Sequence, residues 1–458
     1  MKVRLGIDVA CRAAHQASCA DETGVFAWSG HRFRTDPADL DALWAKLPAG
    51  AEEVMVIIEP TRNAWVPLAA WFRRHGATVV VVPPEQSADL RDYYNKHAKS
   101  DRLDSKILAR LPLLHPEGLH VETTIGPGDP LKRAVKIRSG LVHRRTTSMQ
   151  RLDCLLELMG PAWTCALGSD MSLTAFRFLA RYANPHTVRR LGHRRLTEFL
   201  HRSSRGAWAA ERATEILDAA TTSITLWGDE FAFDDLAADI AAEARLALGL
   251  CAEIHTIDKR IGELYTVADP DGIVRSAPGV GVVGAPQILG RLGDAKRFKN
   301  LAAVRSFSGL VPRQNDSGVA AKAGGPTKAG DACLREALFN AADHARKIDP
   351  TLAARYHRLM TLEGKHHTSA LCTISTVLLT RIAACLRAGD AYQLRDVDGT
   401  IITEAEGRSI VADRYAIPAA TRAARRSLIN VPRHPRRNER AKKGVAERSE
   451  APPVPASA

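Results

Sequence analysis

Short apolar runs that end in an acidic residue are the feature that most constrains the fold of this chain. "VRLGID" ends at Asp8, "VMVIIE" ends at Glu59, and "ATVVVV" is a third apolar run. Strands that are apolar on both faces need helices on both sides, which is the pattern of an α/β layer. The stretches "DPADLDALWAKL" and "AWVPLAAWFRRHG" between them have helical spacing. We therefore predict an α/β domain over residues 1–128.

The two strand-end acids need partners, because burying an unpaired carboxylate is costly. Asp101 and Asp104 stand in "KSDRLDSKILARL", where a helix would place both on one face. Four such carboxylates can converge on Mg²⁺, which prefers oxygen ligands, and two ions about 3.5–4 Å apart can promote phosphodiester chemistry. The alternative is a capping arrangement, in which Asp101 is the N-cap of the helix and Asp104 its partner in the first turn.

The net charge of +13 favours a polyanionic partner such as nucleic acid. Seven basic residues and no acid lie between Lys132 and Arg151. From this stretch we predict nucleic-acid contacts at Lys132, Arg133, Arg144 and Arg145. The alternative for this face is simple solvation, and a membrane surface is disfavoured because no basic amphipathic helix with an apolar aromatic face is present.

Composition argues against several other classes of protein. The eight cysteines are scattered without a C-x-x-C pair, which disfavours a zinc ribbon or a secreted disulfide framework. No apolar run approaches the length of a membrane span, and the N-terminal residues lack the apolar core of a signal peptide. A cytoplasmic protein without a membrane partner is therefore expected.

The rest of the chain is predicted to be mainly α-helical. Residues 129–268 include "DLAADIAAEARLALGLCAEIHTIDKRIGELYTVA", whose near-heptad apolar spacing indicates an antiparallel or intersubunit coiled coil. Residues 269–395 form a third unit, with a Gly/Lys-rich loop before a helix that begins near Asp331. Residues 396–458 form a tail that is basic and largely disordered beyond about residue 420. The fold class is thus α/β plus all-α.

Gly279, Gly281 and Gly284 form a G-x-G-x-x-G, which alone suggests a dinucleotide-binding turn. Pro278 breaks any strand before the turn, and no second apolar strand follows to bind a ribose. The segment instead predicts a helix-hairpin-helix, in which the N–H groups near Gly279 and Gly281 contact nucleic-acid phosphates. Such hairpins also serve as plain connectors between helices.

Ordered motifs in two parts of the chain resemble one family. "GIDVA", "IIEPTRNAWVPLAAWFRRHGATVVVVPP" and "KSDRLDSKILARL" are similar to the RuvC-like, RNase H-fold domain of the DEDD insertion-sequence transposases of the IS110 group, the bridge-RNA-guided recombinases. "SAPGVGVVGAPQILGRLGDAKRFKNLAAVRSFSGLVPRQNDSG" and "PTKAGDACLREAL" resemble their C-terminal transposase domain. The similarity covers roughly residues 3–395. The chain departs from the family pattern at Arg62–Asn63 and in the loop around Pro326. Neither departure removes an implied catalytic group, although both also fit an inactive copy of the transposase.

The resemblance implies a site and its partners. The D-E-D-D of the family would fall on Asp8, Glu59, Asp101 and Asp104, which would bind Mg²⁺, with two ions expected. Ser317 would be the nucleophile that forms a phosphoserine-linked DNA intermediate. The family acts as a tetramer, in which Ser317 of one subunit would work with the acids of another. Element-end and target DNA and a noncoding bridge RNA would be the other partners. Basic residues near Ser317 in sequence could bind the scissile phosphate: Arg313, Lys322, Lys328 and Arg335.

Two other functions remain open from the sequence. A RuvC-like endonuclease or junction resolvase would use the same acids to activate water, and Ser317 would then be incidental. A catalytically inactive relative would bind nucleic acid without needing Mg²⁺ or the acids.

Overall fold

The computed structural model describes residues 1–425 except 85, 88–99, 117, 118, 120, 169, 170, 314, 315, 318, 319 and 322–324. At 316, 317, 320 and 321 it describes the backbone alone. The chain divides into two compact units. The N-terminal unit comprises Met1–Gly272 and Ala285–Lys299, and the C-terminal unit comprises Ile273–Gly284 and the chain from Asn300. The predicted disordered tail beyond residue 425 lies outside the described residues.

The N-terminal unit begins with a mixed five-stranded sheet of order β3-β2-β1-β4-β5. Strands β1, β2 and β3 are antiparallel neighbours, whereas β4 is parallel to β1 and β5 is parallel to β4. The turn between β2 and β3 is built by Asp21, whose carboxylate accepts from the N–H groups of Thr23 and Val25. The strands are β1 (Lys2–Asp8), β2 (His15–Asp21), β3 (Phe26–Phe33), β4 (Glu53–Glu59) and β5 (Thr78–Val81).

Helices cover both faces of this sheet, as the apolar strands predict. On one face, α1 (Pro37–Ala45) and α2 (Trp65–Arg74) pack buried Leu43 and Phe72 against the strands. On the other face lies α3 (Asp101–Leu114), whose Leu108 and Leu111 join a smaller buried cluster. The predicted α/β layer is therefore confirmed.

The remainder of the N-terminal unit is helical, as predicted. Buried aromatic side chains, Trp163, Phe176 and Phe178, lie in its large apolar core. Its helices are α4 (Pro130–Met159), α5 (Ala162–Leu167), α6 (Leu173–Tyr182), α7 (Pro185–Ser204), α8 (Ala210–Trp227), α9 (Phe233–Ala268) and α10 (Gly284–Leu292).

The long helices α4 and α9 pack against each other within one chain. Arg138 pairs with Asp258 and Arg151 pairs with Glu243, so residue numbers rise along one helix as they fall along the other. The two helices are therefore antiparallel. Apolar side chains of α9 are buried at heptad spacing, at Ile240, Ala247, Ile254 and Ile261. A supercoiled or intersubunit coiled coil remains a prediction.

The C-terminal unit is built around a long apolar helix, α14 (His367–Ala388), whose Leu371, Ile374 and Leu378 are buried. By length and mean hydropathy, 1.7, this helix could cross a membrane, contrary to the expectation from sequence. It instead packs against three helices of its unit, and no membrane protein is indicated. The other helices are α11 (Leu301–Ser308), α12 (Ala332–Ala345), α13 (Pro350–Thr361), α15 (Glu404–Arg414) and α16 (Ala419–Ala424).

Packing in the C-terminal unit continues past residue 395, where the sequence suggested that a tail begins. Asp349, which is 1% exposed, caps α13 and accepts hydrogen bonds from Arg381 of α14 and, at 2.6 Å, from Tyr392. Gly407 of α15 lies so close to the chain just before α13 that an added Cβ would be 2.3 Å from the carbonyl oxygen of Ile348. Residues 396–414 are thus part of this unit.

Candidate active site

Asp8 and Glu59 stand side by side at one end of the sheet. They are register partners in the parallel pair β1–β4, so their side chains leave the same face of the sheet. That face is the one covered by α3, because Gly6, two residues before Asp8, lies under this helix. A Cβ on Gly6 would be 2.2 Å from the carbonyl oxygen of Ser105. Both acids are half-buried.

Helix α3 brings its first turn toward the same end. Arg102, near its start, donates to the hydroxyl of Ser29 on β3, while Leu113, near its end, lies against Gly24 in the β2–β3 turn. The helix therefore runs opposite to β1, and its N-terminus lies toward the carboxyl ends of β1 and β4. Asp101 and Asp104 occupy that first turn, Asp101 exposed and Asp104 half-buried.

The capping alternative for Asp101 is wrong. The N-cap of α3 is Ser100, whose hydroxyl accepts from the N–H of Leu103 at 3.3 Å. Asp101 is the first helical residue, so its carboxylate is not needed to cap the helix. The N-cap role that competed with metal binding in the sequence therefore belongs to Ser100 and not to Asp101.

Two hydrogen bonds made by serine hydroxyls, which sequence reasoning did not single out, support this site. Ser87, which is 5% exposed, donates to the carboxylate of Glu59 at 2.6 Å. Ser105 of α3 and Ser18 of β2 share a buried hydrogen bond of 2.8 Å that fastens α3 to the sheet. No sequence signal identifies them, because each partner lies 28 or more residues away along the chain.

The oxygen donors of the four acids suit Mg²⁺ chemically. Across the part of the chain that the structure describes, no three or more His, Cys, Asp or Glu side chains are close enough together to hold a metal ion. The fold thus brings the acids to one end of one sheet face, but among the described side chains they are not close enough together to form a complete metal site.

Ser317 lies near the tip of a β-hairpin rather than in an irregular loop. We call residues 309–330 the serine hairpin. Its base is closed by Thr327 N–H to Val311 C=O at 2.9 Å and Arg313 N–H to Gly325 C=O at 3.0 Å. Nearer the tip, β6 (Asp316–Ser317) pairs with β7 (Ala320–Ala321). The described backbone thus places Ser317 in a short paired strand of this segment.

The basic residues predicted around Ser317 have different environments. Arg313 is exposed and donates to the carbonyl of Thr327, and Lys328 is exposed with a left-handed φ of 57°. Arg335 donates to the carbonyls of Ser308 and Gly330, which clamps the base of the hairpin. Lys322 lies outside the described residues.

The neighbouring serine before a glycine, Ser308, is unsuited to attack a phosphate. It is fully buried, its hydroxyl donates to the carbonyl of Arg305 at 2.7 Å, and it accepts from the N–H of Leu310. The structure therefore explains Ser308 as a residue of the helix end.

The glycine turn differs from the predicted helix-hairpin-helix. The chain between Ala268 and Gly284 forms successive turns, and only the second helix of the expected hairpin, α10, is present. Gly279 has a φ of +75°, and a Cβ there would be 2.5 Å from backbone atoms of Ala341 and Ala345 in α12. Gly279 therefore serves close helix packing, whereas Gly281 is exposed with open space around it.

The basic stretch of α4 is partly neutralised by acids far away in sequence, on α9, through the Arg138 and Arg151 pairs described above. Lys132 is half-buried; burial lowers its pKa below the ordinary value, and the guanidinium groups of Arg291 and Arg297 lower it further. Of the other predicted contacts, Arg133 donates to the carbonyl of Gly128, Arg144 is exposed, and Arg145 is half-buried.

Comparison with known proteins gives the chain its family. Residues 5–161 match the family model for the DEDD transposase of IS110, and residues 271–357 match that of the transposase IS116/IS110/IS902 family. The chain is 26% identical over 396 residues to an uncharacterised 43.6 kDa protein of insertion element IS110 from Streptomyces coelicolor, covering 86% of this chain and 96% of that one. Over 386 residues it is 25% identical to an insertion element IS116 protein from Streptomyces clavuligerus, covering 84% and 95%.

A third relative, an insertion element IS900 protein from Mycobacterium paratuberculosis, is 26% identical over 370 residues and covers 79% of this chain and 90% of its own. The first matched region contains all four acids of the sheet site, and the second contains the serine hairpin. With both matched regions in the expected order, the chain belongs to the IS110 group of DEDD transposases and is a DNA-processing enzyme.

Proposed function

We propose that this transposase excises and inserts its own element by Mg²⁺-dependent cleavage and rejoining of DNA through a phosphoserine intermediate on Ser317. The observation that supports it most is the register pairing of Asp8 and Glu59 at the end of the sheet toward which the N-terminus of α3 points. Carboxylate oxygens that the fold brings to one end of a sheet face are the ligands that Mg²⁺ prefers.

The acids and the serine have separate tasks in this mechanism. Asp8, Glu59, Asp101 and Asp104 would hold Mg²⁺, which supplies a Lewis acid for the phosphate and for the leaving oxygen when bound. The hydroxyl oxygen of Ser317 attacks the phosphorus and releases its proton to solvent as a P–O bond forms. The bond to the leaving sugar oxygen breaks, and that oxygen takes up a proton from solvent. Exposed Arg313 and Lys328 would neutralise the charge that develops on the phosphate.

The same proposal includes partners. A noncoding bridge RNA encoded beside the gene would select donor and target DNA by base pairing. The enzyme would act in the cytoplasm as a tetramer in which one subunit supplies Ser317 to the acids of another. The family resemblance supports these statements, and the long antiparallel pair of α4 and α9 offers an extended surface for assembly.

A covalent trap tests the chemistry. The full chain is incubated with Mg²⁺, DNA carrying the element junction, and RNA transcribed from the flanking noncoding segment, and any DNA-linked peptide is then mapped. We expect a link at Ser317 that is lost in both Ser317→Ala and Asp8→Asn but kept in Ser308→Ala, the matched serine control.

Two outcomes would contradict the proposal. Cut DNA without attached protein, with cleavage surviving in Ser317→Ala, would indicate a hydrolytic nuclease. DNA binding that persists without Mg²⁺, with no cutting while an active relative cuts under the same conditions, would indicate an inactive copy.

A further inference from the structure

Helix α7 and the chain before it carry an unusual concentration of positive charge. Residues 177–205 contain eight arginines and one acid, Glu198. The whole chain has a net charge of +13, so this short segment accounts for more than half of it. None of these arginines was among the nucleic-acid contacts predicted from the sequence.

The fold fixes which way α7 faces. Val188, Leu196 and Leu200 are fully buried in the core of the helical part of the N-terminal unit. Outside this core, α7 carries four exposed arginines, which we call the arginine face: Arg189, Arg190, Arg194 and Arg195. Because the apolar side is anchored, these guanidinium groups cannot turn inward, and the face is held toward solvent.

The arginine face has almost no partners within the chain. Among the described residues, Arg189, Arg194 and Arg195 make no hydrogen bond or ion pair, and Arg190 only donates to the hydroxyl of Thr187 at 3.3 Å. By contrast, Arg151 on α4 is paired with Glu243. Adjacent like charges without counter-charges repel each other and are typical of a surface that binds a polyanion.

A break in α7 lies within this face, between Arg190 and Arg194. Gly192 has a φ of 73° and a ψ of 165°, so α7 consists of two helices that meet there. The second helix begins at His193, and Gly192 has no side chain that could accept from its first N–H groups. Those N–H groups lie beside Arg194 and Arg195, and a helix N-terminus attracts phosphate through its dipole and free donors.

We propose that the arginine face binds the phosphate backbone of double-stranded DNA. It would hold the DNA substrate on the helical part of the N-terminal unit, through residues other than the four acids. The same segment contains Arg181, whose guanidinium is held over two aromatic rings. Its Cζ lies 5.2 Å from the ring centroid of Tyr182 and 5.9 Å from that of Phe199. The identity of the bound duplex rests on the function proposed above; the phosphate contact rests on the charges and geometry of α7.

Duplex binding by the full-length protein tests this inference. The double variant Arg194→Gln with Arg195→Gln is compared with Arg358→Gln with Arg408→Gln, which removes the same charge from arginines that are ion-paired on α13 and α15. Affinity for a labelled DNA duplex is measured by fluorescence anisotropy across a salt series. We expect the α7 variant to bind about tenfold more weakly near 0.15 M salt and to lose about two units of salt slope, with little change in the control.

The outcomes separate this inference from the proposed function. Equal loss in both double variants would mean that only net charge matters, and the inference would be wrong. Loss of affinity for a folded RNA from the flanking segment, with duplex DNA binding intact, would also overturn it. A Ser317 link in the covalent trap together with wild-type duplex binding by the α7 variant would retain the proposed function and reject the arginine face. Weakened duplex binding by the α7 variant, with no Ser317 link formed by the wild-type protein, would support the arginine face and reject the proposed function.

Discussion

Gly6 lies in strand β1 of the N-terminal unit, and Gly279 lies in the turn before α10, within the C-terminal unit. At each position an added Cβ would meet helix backbone, 2.2 Å from Ser105 of α3 or 2.5 Å from Ala341 of α12. Gly6 was unremarkable in the sequence, yet it seats the helix that carries two of the four acids. Gly279 belonged to a phosphate-binding motif, yet it serves helix packing. A glycine in the sequence therefore indicates that another group comes close to the backbone, but it does not show whether that group is a phosphate or a helix.

The acids of the N-terminal unit and the serine of the C-terminal unit differ in how strongly the sequence alone identifies them. The positions of Asp8 and Glu59 follow from a strong physical constraint, since a carboxylate that ends an apolar strand must find a partner. A serine before a glycine carries no such constraint, and Ser308 and Ser317 look alike in sequence. The family resemblance points to Ser317, and the structure adds that Ser308 is fully buried.

The largest expected effect tests the acids. We expect Glu59→Gln to reduce strand cleavage at least 10³-fold, about 4 kcal/mol in activation free energy, while leaving thermal stability unchanged. Ser308→Ala should keep cleavage within a few-fold of wild type. Single-turnover cleavage of junction DNA, with unfolding followed by circular dichroism, measures both. Substantial cleavage by Glu59→Gln would remove this acid from the site.

Gly6→Ala should destabilise the N-terminal unit by about 3 kcal/mol, because its Cβ meets backbone that cannot move without shifting α3. Gly140→Ala on α4, where a Cβ would meet nothing within 4 Å, is the matched control and should stabilise by up to about 1 kcal/mol. Urea unfolding gives both values. A neutral Gly6→Ala would mean that α3 is not seated as described.

Gly279→Ala should destabilise the C-terminal unit by about 2 kcal/mol, from a left-handed φ combined with overpacking against α12. Its affinity for duplex DNA, corrected for the folded fraction, should equal that of wild type. Gly281→Ala is the control that separates packing from phosphate binding, because its Cβ has open space. Weaker DNA binding by Gly281→Ala at unchanged stability would restore the phosphate role of this turn.

Ser87→Ala should slow cleavage about 10-fold by releasing the Glu59 carboxylate, as removal of an outer-shell partner commonly does at metal sites. Ser87→Thr, which keeps a hydroxyl, should recover most of the rate. The Mg²⁺ concentration needed for half-maximal cleavage should rise in Ser87→Ala alone. An unchanged Mg²⁺ requirement would mean that this hydrogen bond does not position the acid.

The smallest effect concerns pH. Burial lowers the pKa of His15, whose Nδ1 accepts from the N–H of Ala10 and whose Nε2 lies 2.8 Å from the hydroxyl of Thr35. The unfolded chain therefore binds the proton more readily, so this residue's contribution is complete above the ordinary pKa of about 6.5 and is lost as pH falls below it. His15→Asn should show a smaller decrease in Tm between pH 8 and pH 5 than wild type. Equal decreases would exclude His15 as the source.

The sequence by itself determined the elements that depend on local pattern and on the cost of burying charge. The apolar strands β1 and β4 with their terminal acids, the helix that begins at Asp101, and the helix capped by Asp331 all follow from residues close together in the chain. These signals are local, and tertiary packing did not override them. The family followed in the same way, from ordered motifs.

Tertiary structure alone decided what depends on distant partners. Ser100 rather than Asp101 caps α3, Ser87 reaches Glu59, and Asp258 neutralises Arg138 across 120 residues of sequence. It also decided which positive charges stay exposed, as on α7, and which are paired, as on α4. Hydrogen bonds, ion pairs and close helix approach form wherever the fold brings groups together, and one sequence read along its length does not contain those distances.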